Sequence, residues 1–357
     1  MATAPELVTS AASAGTLSTA ATVLRDSHNR VIRDLRVSIT DRCNYKCVYC
    51  RTGQSGPQYS ELSTANYLRL IRAFVSLGID KVRLTGGEPL LRRDLLEIVS
   101  ELASWRTPAG DPLDLALTTN GHLLDSLAEP LKRAGLSRVT VSMDAVDPAA
   151  FERITRVPGS HAQVLAGIRA AQRAGFHPIK VNCVLLRGFN DDQIETFARF
   201  AQEEDLIIRF IEFMPLEEDR LWSPDRVVSM REIVERISRI YPLIPLPPNS
   251  ASETARRYGF ATGQGSIASR GEIGIIAPVT QPFCGACSRI RLTSDGKIRT
   301  CLFSHFEHDL RALLDQNATD ANLIDFIVRT VNTKEARHHI GEPGFLKPSR
   351  SMVHIGG

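Results

Sequence analysis

Residues 34–50 of the chain read DLRVSITDRCNYKCVYC. The first half is short and rich in Leu, Val and Ile, which predicts a buried strand over residues 35–40. Three cysteines follow this strand at once, at Cys43, Cys47 and Cys50. Thiols at such tight spacing are typical of a metal or iron–sulfur site. The stretch therefore predicts a strand that leads directly into a ligand loop.

A pattern of strand followed by helix repeats through residues 34–213. Strands are predicted at 35–40, 81–85, 114–118, 138–143, 179–186 and 207–213, and helices at 64–77, 93–105, 123–134, 162–174 and 191–203. Six such units imply parallel strands joined by right-handed crossovers. The two further units of an eight-fold barrel are not found, so the sequence predicts an α/β fold, an incomplete (β/α)6 TIM-type barrel. Its active residues should lie at the carboxyl ends of the strands.

The flanking segments predict a leader and a second unit. Residues 1–22 are rich in Ala, Ser and Thr, carry one charged side chain and lack the apolar run of a secretory signal, so we expect a disordered leader. The partial barrel should occupy residues 23–243, ending after a helix at 229–240. A proline-rich arm then introduces a smaller C-terminal iron–sulfur domain, residues 244–357, which should close the barrel mouth.

Composition excludes several classes of protein. The chain has 357 residues, of which 43% are hydrophobic and 23% charged, enough for one large core and a smaller unit. A net charge of +3 does not predict a nucleic-acid partner. The sequence has no apolar run long enough to predict a membrane span. Seven cysteines, in two sets of three with Cys183 alone in an apolar run, fit metal ligation in a reducing cytoplasm better than a disulfide framework.

Each set of three cysteines leaves a metal position open. A four-iron cluster needs four ligands, so three thiolates leave one iron for a substrate or cofactor. The second set is Cys284, Cys287 and Cys301. Beside it, Arg289 and Arg291 stand two residues apart, so on a strand they share a face and form a fork for phosphate oxygens. On spacing alone, a zinc knuckle at the first set and a zinc ribbon with one histidine ligand at the second remain alternatives.

Polar residues also stand where predicted strands end. Residues 84–89 read Leu-Thr-Gly-Gly-Glu-Pro, and the two glycines allow close backbone approach. A plain strand-to-helix turn is the alternative interpretation of this motif. Thr118 and Ser142 lie at later strand ends, and Lys180 lies on the fifth strand. A buried lysine is rare unless it is paired, so Lys180 predicts a bound anion.

The Cys-x3-Cys-x2-Cys loop, with Tyr49 before its last cysteine and a Gly-Gly-Glu motif after the next strand, resembles the radical S-adenosylmethionine superfamily. The resemblance implies a 4Fe–4S cluster on Cys43, Cys47 and Cys50 whose open iron chelates S-adenosylmethionine. It further implies that Tyr49 contacts the adenine and that Gly87 holds the methionyl amino group.

Further ordered matches resemble one family of that superfamily, the GTP 3′,8-cyclases of molybdenum cofactor biosynthesis. They comprise residues 34–38, 83–94, 117–121, 141–145 and 209–214, the second cysteine set with its arginines, and the Gly-Gly terminus. The resemblance implies two 4Fe–4S clusters and S-adenosylmethionine as cofactors, and GTP as substrate with its base on the second cluster. It assigns S-adenosylmethionine to Tyr49, Gly87, Ser142 and Met214, GTP to Arg36, Arg83, Thr118, Lys180, Arg289 and Arg291, and catalytic roles to Arg289, Arg291, Gly356 and Gly357.

The same resemblance implies the reaction and its setting. A 5′-deoxyadenosyl radical would remove the 3′ hydrogen of GTP, and the 3′ carbon would then close on guanine C8. The product would pass to a cyclic pyranopterin monophosphate synthase. We expect a cytoplasmic protein with no membrane or nucleic-acid partner, and a homodimer formed at the open sheet edge. The sequence does not indicate the electron donor.

Two other functions remain open on the sequence. A peptide-modifying radical enzyme with an auxiliary cluster would need a peptide-docking module, usually before the barrel. A non-enzymatic zinc or iron–sulfur protein that binds nucleic acid would want a larger positive charge and more than 6% aromatic residues. The chain also departs from the family at Arg51-Thr52, where Met-Pro is usual. That departure concerns the contacts beside Cys50 and not the ligands.

Overall fold

The computed structural model describes residues 23–50, 58–217, 221–262 and 266–356. The predicted leader at 1–22, the Arg51-Thr52 departure and Gly357 lie outside the described residues. Within those ranges, no helix is long and apolar enough to cross a membrane.

Strands and helices alternate through the first two thirds of the chain. The strands are β1 (Asp34–Ser38), β2 (Lys81–Thr85), β3 (Asp114–Thr119), β4 (Arg138–Ser142), β5 (Lys180–Leu185), β6 (Ile207–Glu212), β7 (Leu243–Leu246), β8 (Arg256–Phe260), β9 (Glu272–Ile276), β10 (Arg289–Leu292), β11 (Lys297–Arg299) and β12 (His308–Asp309). The helices are α1 (Thr64–Ser76), α2 (Leu95–Ser104), α3 (Leu124–Arg133), α4 (Pro148–Thr155), α5 (Ser160–Arg173), α6 (Ile194–Glu203), α7 (Met230–Ser238), α8 (Leu310–Asp315), α9 (Asp320–Asn332) and α10 (Met352–Ile355).

The six predicted strands are all present, and each lies within two residues of its predicted bounds. The five predicted helices are present too, although the last opens with a 3-10 turn at Asp191–Gln193 before α6 begins. Helix α4 was not predicted. This helix is short. It begins after the N-cap residue Asp147, whose carboxylate accepts a hydrogen bond from the backbone N of Ala150 at 2.7 Å. Pro148 then occupies the first turn, where a proline is well tolerated.

The strands form one twelve-stranded sheet in the order β12-β11-β10-β1-β2-β3-β4-β5-β6-β9-β8-β7. From β1 to β6 each strand pairs in parallel with the next, as the alternation with helices predicted. The order has two ends, so among the described residues the sheet is not closed, which fits an incomplete barrel.

The segment after residue 244 extends this sheet at both sides. Strand β10 pairs in parallel with β1, and β9 pairs in parallel with β6. The parallel array therefore holds eight strands, of which the outer two come from the C-terminal segment. The sequence predicted only six parallel strands because β9 is preceded by its antiparallel partner β8, and β10 is followed by its antiparallel partner β11. Neither strand therefore belongs to the repeated pattern of strand and helix. The domain boundary at residue 243 stays a prediction.

The two faces of the parallel strands differ in chemistry. Alternate residues such as Leu35, Val82 and Phe210 are completely buried in the apolar core with the helices. The residues between them point to the opposite face because side chains alternate along a strand. That inner face lines a cavity and includes Arg36, Arg83, Thr118, Ser142, Lys180, Asn182 and Arg209.

The Gly86-Gly87 turn packs directly against the first cysteine loop. The backbone N of Gly87 donates to Thr40 O at 2.8 Å, and the N of Glu88 donates to Arg42 O at 2.8 Å. A Cβ at Gly86 or Gly87 would overlap the carbonyl oxygens of Thr40 and Arg42, and Gly86 has φ +145°. Both glycines are therefore needed for backbone approach. The turn fixes the loop that carries Cys43.

Replacing Gly87 by alanine should destabilise the metal-free protein. The new methyl group must push the loop away from the backbone of Arg42, and we expect a loss of about 2 kcal/mol in the free energy of unfolding, measured by urea titration. Gly285→Ala is the matched control because a Cβ there meets no atom within 4 Å. Equal stability of the two variants would contradict this account of the turn.

Candidate active site

Both cysteine sets line one cavity of about 520 Å³ inside the barrel. The first set follows β1, while Cys284 and Cys287 precede β10 and Cys301 follows β11. Because β10 lies beside β1 in the sheet, two loops that are far apart in sequence face the same space. All six cysteines are partly exposed to that space and none is in a disulfide. Cys183 is buried elsewhere in the core, as predicted.

The first set has the chemistry of an iron–sulfur ligand loop. A turn with Cys50 N donating to Cys47 O at 3.0 Å shapes it, and Tyr45 N donates to the sulfur of Cys43 at 3.4 Å. Burial, and then the charges of Asp144, Cys50 and Cys43, raise the pKa of the Cys47 thiol. Three clustered thiolates in a buried site are stable only with a cationic partner, so the loop fits a metal cluster.

In the second set, Cys287 is biased toward thiolate, whereas burial raises the pKa of Cys301. In a 3-10 turn, the backbone N of Cys287 donates a hydrogen bond to Cys284 O at 3.1 Å. A guanidinium nitrogen of Arg289 lies 3.3 Å from the sulfur of Cys287. Burial works against ionisation, but Arg289 and Lys334 outweigh it and lower the pKa of Cys287 to about 7. Thiolates are the form that binds iron, so this set also fits a cluster.

In the described ranges, no group of three or more His, Cys, Asp or Glu side chains has an arrangement that could hold a single metal ion.

Two buried carboxylates hold the loops around the first set. Glu88 accepts from Leu90 N at 2.9 Å, from the Thr119 hydroxyl at 2.8 Å and from Asn120 N at 2.6 Å, and so joins the glycine turn to the end of β3. Burial raises the pKa of Glu88 to about 7, although these hydrogen bonds oppose the shift. In this structure Glu88 is used to join loops.

Asp144 does the same on the other side of the loop. Its carboxylate accepts from the Tyr49 hydroxyl at 2.7 Å and from Val184 N at 2.9 Å. Burial raises the pKa of Asp144 to about 6 against the effect of these two hydrogen bonds. The contact fixes the ring of Tyr49 next to Cys50, at the edge of the cavity.

A cluster of cations lines one part of the cavity, where Arg83 and Arg291 are buried and Arg36, Lys180 and Arg209 are half-buried. Burial, followed by repulsion from neighbouring cations, lowers the pKa of Lys180 to about 8 and that of Arg209 to about 9. For Arg36, burial lowers the pKa to about 10, although Asp34 partly offsets it. Buried cations that repel one another are stabilised by an anion with several oxygens. This part of the cavity is therefore suited to a polyphosphate.

Hydrogen bonds on the inner face orient this cluster. Arg83 donates to the hydroxyls of Thr118 at 3.1 Å and Thr140 at 3.3 Å. Arg209 donates through Nε to Asn182 Oδ1 at 2.9 Å. Each guanidinium keeps further N–H groups for a ligand, since it carries five donors.

The two arginines of β10 have different neighbours. Arg289 lies against Cys287 and, at 4.9 Å, over the ring of Phe283. Arg291 is buried and donates to the carbonyl of Ile355 at 3.1 Å and to that of Gly356. The C-terminal tail therefore contacts the inner face of the barrel at Arg291 through Ile355 and Gly356.

The cavity brings together most of the predicted site residues. Those lining it are Arg36, Cys43, Cys47, Tyr49, Cys50, Arg83, Gly87, Thr118, Ser142, Lys180, Met214, Cys284, Cys287, Arg289, Arg291 and Cys301. Sequence reasoning did not assign Arg209, Asn182 or Lys334, which line it as well. The alternation of Arg209 with Ile208 and Phe210 was a usable signal. Lys334, after α9, stands in no recognisable motif.

Comparison with known proteins gives two family matches along the chain. Residues 37–201 match the Radical SAM superfamily, and residues 206–340 match the family described as Molybdenum Cofactor Synthesis C. Among solved structures, SuiB of Streptococcus suis bound to S-adenosylmethionine superposes with a TM-score of 0.59, covering 86% of this chain and 69% of that one at 14% identity. A likeness at that identity concerns the fold alone.

Several curated relatives carry one name. The GTP 3′,8-cyclase of Acidothermus cellulolyticus is 45% identical over 326 residues, which is 88% of this chain and 87% of that protein. The protein of the same name from Syntrophomonas wolfei is 40% identical over 93% of this chain and 99% of its own length. That from Moorella thermoacetica is 42% identical over 94% of this chain and 100% of its own length.

The thiol of Cys287 should be the target of alkylation in the metal-free protein. With a pKa of about 7 it is roughly half ionised at pH 7, so its reaction with iodoacetamide should rise with pH through that value. Arg289→Gln removes a stabilising cation, and we expect the rate at pH 7 to fall about fivefold, followed by peptide mass analysis. Arg329→Gln, at an exposed position on α9, is the control. Unchanged reactivity in Arg289→Gln would exclude this role for the guanidinium.

Proposed function

Because the chain belongs to the GTP 3′,8-cyclase family of the radical S-adenosylmethionine superfamily, we propose that it converts GTP to (8S)-3′,8-cyclo-7,8-dihydroguanosine 5′-triphosphate, the first step of molybdenum cofactor biosynthesis. The observation that carries the proposal is the single cavity, which is lined by both cysteine sets and by a cluster of cations. One molecule with a base and a triphosphate can contact a cluster at one end and the cations at the other.

The cofactors follow from the ligand sets. Cys43, Cys47 and Cys50 would hold one 4Fe–4S cluster, and Cys284, Cys287 and Cys301 would hold another, each with an open iron. When bound, the first cluster and S-adenosylmethionine supply the 5′-deoxyadenosyl radical that removes the 3′ hydrogen of GTP. We assign S-adenosylmethionine to Tyr49, Gly87, Ser142 and Met214, all of which line the cavity beside the first set.

The work of the chain is to bind, orient and exclude water. Arg36, Arg83 and Lys180 repel one another in the free protein, so the triphosphate that binds them also relieves their repulsion. The binding energy gained there can hold the ribose near the first set while the base contacts the second set, beside Arg289. We assign GTP to Arg36, Arg83, Thr118, Lys180, Arg289 and Arg291, with Arg209 as an addition, and catalytic roles to Arg289, Arg291, Gly356 and Gly357.

The setting of the reaction is proposed with it. Six partly exposed thiols outside disulfides suit a reducing compartment, so we place the protein in the cytoplasm. We propose a homodimer formed at a sheet edge, for which β7 and β12 are the exposed ends of the sheet order. A cyclic pyranopterin monophosphate synthase would take up the product.

The other two functions are less well supported. A solved neighbour, SuiB, has been seen bound to its precursor peptide SuiA, but at 15% identity this likeness reaches only the fold. The relatives at 40–45% identity bear the cyclase name over most of both chains. A nucleic-acid protein would present its cations on the surface, whereas Arg83 and Arg291 are buried inside the barrel.

The proposed reaction can be tested by product analysis. Protein reconstituted with iron and sulfide under anaerobic conditions should hold about eight irons. With GTP, S-adenosylmethionine and dithionite it should form 5′-deoxyadenosine and a cyclised nucleotide isomeric with GTP, because the hydrogen lost from C3′ is balanced by one electron and one proton. Chromatography separates this product from GTP, and mass spectrometry should give it the mass of GTP. Cys284→Ser should form no cyclised nucleotide but still cleave some S-adenosylmethionine, because the first set is intact.

Three variants control this experiment. Cys47→Ser and Cys284→Ser should each retain about four irons, whereas Cys183→Ala, outside both sets, should retain about eight. Stoichiometric zinc without iron in the wild type would defeat the proposal. Loss of all S-adenosylmethionine cleavage in Cys284→Ser would contradict the division of labour between the two sets.

A further inference from the structure

The last segment that the structure describes, residues 345–356, lies across the barrel mouth, and we call it the strap. Its backbone is attached where Met352 N donates to Leu216 O at 3.2 Å. Met352 and Val353 line the active cavity, whereas Ser351 and His354 line a separate outer cavity. The strap is thus a wall between the site and the outside, and its placement decides how well the site is closed.

Arg350 makes the densest set of contacts in the strap. Its guanidinium donates two parallel hydrogen bonds to Asp295, both at 2.8 Å, and its Nε lies 2.7 Å from Glu307. The same group stacks 3.9 Å over the ring of Tyr59. Its side chain is only 5% exposed. A bidentate, buried pair of this kind fixes both position and orientation.

Lys347 and His354, which also belong to the strap, face carboxylates. Lys347 Nζ lies 3.3 Å from Glu217, which is 1% exposed. Opposite charges at this distance in a buried site attract strongly. His354 is buried, with Nδ1 3.7 Å from a carboxylate oxygen of Asp41 and its ring edge-on to Tyr59, with centroids 5.1 Å apart.

The carboxylates that these three side chains contact come from separate parts of the barrel. Asp41 follows β1, Glu217 follows β6, Asp295 lies between β10 and β11, and Glu307 precedes β12. The strap therefore joins the loop of the first cysteine set to the unit that carries the second.

The inner end of the strap has little freedom. Gly356 has φ +68°, and a Cβ there would lie 2.8 Å from the Thr85 side chain, at the end of β2. Its carbonyl accepts from Arg291. A shift of the strap that placed Ile355 at this position would therefore bring a side chain to a site that favours glycine.

We propose that Lys347, Arg350 and His354 are positioning residues, which seat the strap on the four carboxylates and thereby hold the Gly356 carbonyl on Arg291 during cyclisation. This inference rests on the proposed function, because cyclisation is the reaction that the seated tail serves. The seating itself is a property of the chain and can be measured without cofactors or GTP.

The first arm of the test is amide hydrogen exchange in the metal-free protein, read by mass spectrometry on peptides covering 345–356. Arg350→Gln should raise exchange in the strap about tenfold, because a charged, bidentate contact is lost. Arg350→Lys keeps the charge and should lie between that variant and the wild type. Lys347→Gln and His354→Gln should show smaller increases. Arg329→Gln, on an exposed i,i+4 pair of α9, should change nothing.

The second arm measures coupling in the reconstituted enzyme, as the ratio of 5′-deoxyadenosine to cyclised nucleotide. A loosened strap should raise this ratio in Arg350→Gln and His354→Gln. A variant that is merely less stable would lower both products together and leave the ratio unchanged. Exchange in peptides from α1 to α6 is the internal control, since it should match the wild type if the barrel remains folded.

Strap exchange that is unchanged in both Arg350→Gln and His354→Gln would overturn the proposal. Faster exchange with an unchanged ratio would overturn it too, because the strap would then be loose without effect on the reaction. Failure of the proposed function looks different. In that case the wild type itself forms no cyclised nucleotide, while the exchange arm still reports whether Lys347, Arg350 and His354 seat the strap.

Discussion

The parallel pairing of β10 with β1 is the contact on which the site depends. Its register places Arg36 opposite Arg291, so two guanidiniums stand on the inner face of neighbouring strands. The same pairing carries Cys287 to the edge of the cavity that the first cysteine loop forms. Without it the two cysteine sets would belong to separate parts of the chain, and there would be no common space for one substrate.

This arrangement brings several positive charges close together inside the barrel. Arg36, Lys180 and Arg209 lie half-buried in the barrel, where desolvation and repulsion from neighbouring cations lower the pKa of each. Within the cluster, Asp34 offsets part of the repulsion through its 3.0 Å contact with Lys81. A triphosphate supplies further negative charge, so the barrel interior is suited to a polyanion. The four carboxylates at the barrel mouth, by contrast, already have partners in the strap.

Local patterns in the sequence predicted the repeated units and the candidate ligands. Contacts between residues that are far apart in the sequence could not be predicted in this way. The six strands and the cysteine spacing are encoded within short windows, so both were predictable. The parallel register of β9 and β10 is set by pairing with strands far away in sequence, and their antiparallel neighbours hid it. Similarly, nothing local reveals that the carboxylate oxygens of Glu88 and Asp144 accept hydrogen bonds from backbone N–H groups of distant loops. The same limit concealed Lys334 and the contacts of the strap.

The central claim is that one cavity holds the ribose of GTP beside the first cysteine set while the base lies at the second. GTP carrying deuterium at C3′ tests it most directly, with 5′-deoxyadenosine analysed by mass spectrometry after reaction with S-adenosylmethionine and dithionite. The account predicts that one deuterium moves into 5′-deoxyadenosine. Cyclised nucleotide formed together with unlabelled 5′-deoxyadenosine would contradict it, because the radical would then have attacked another position.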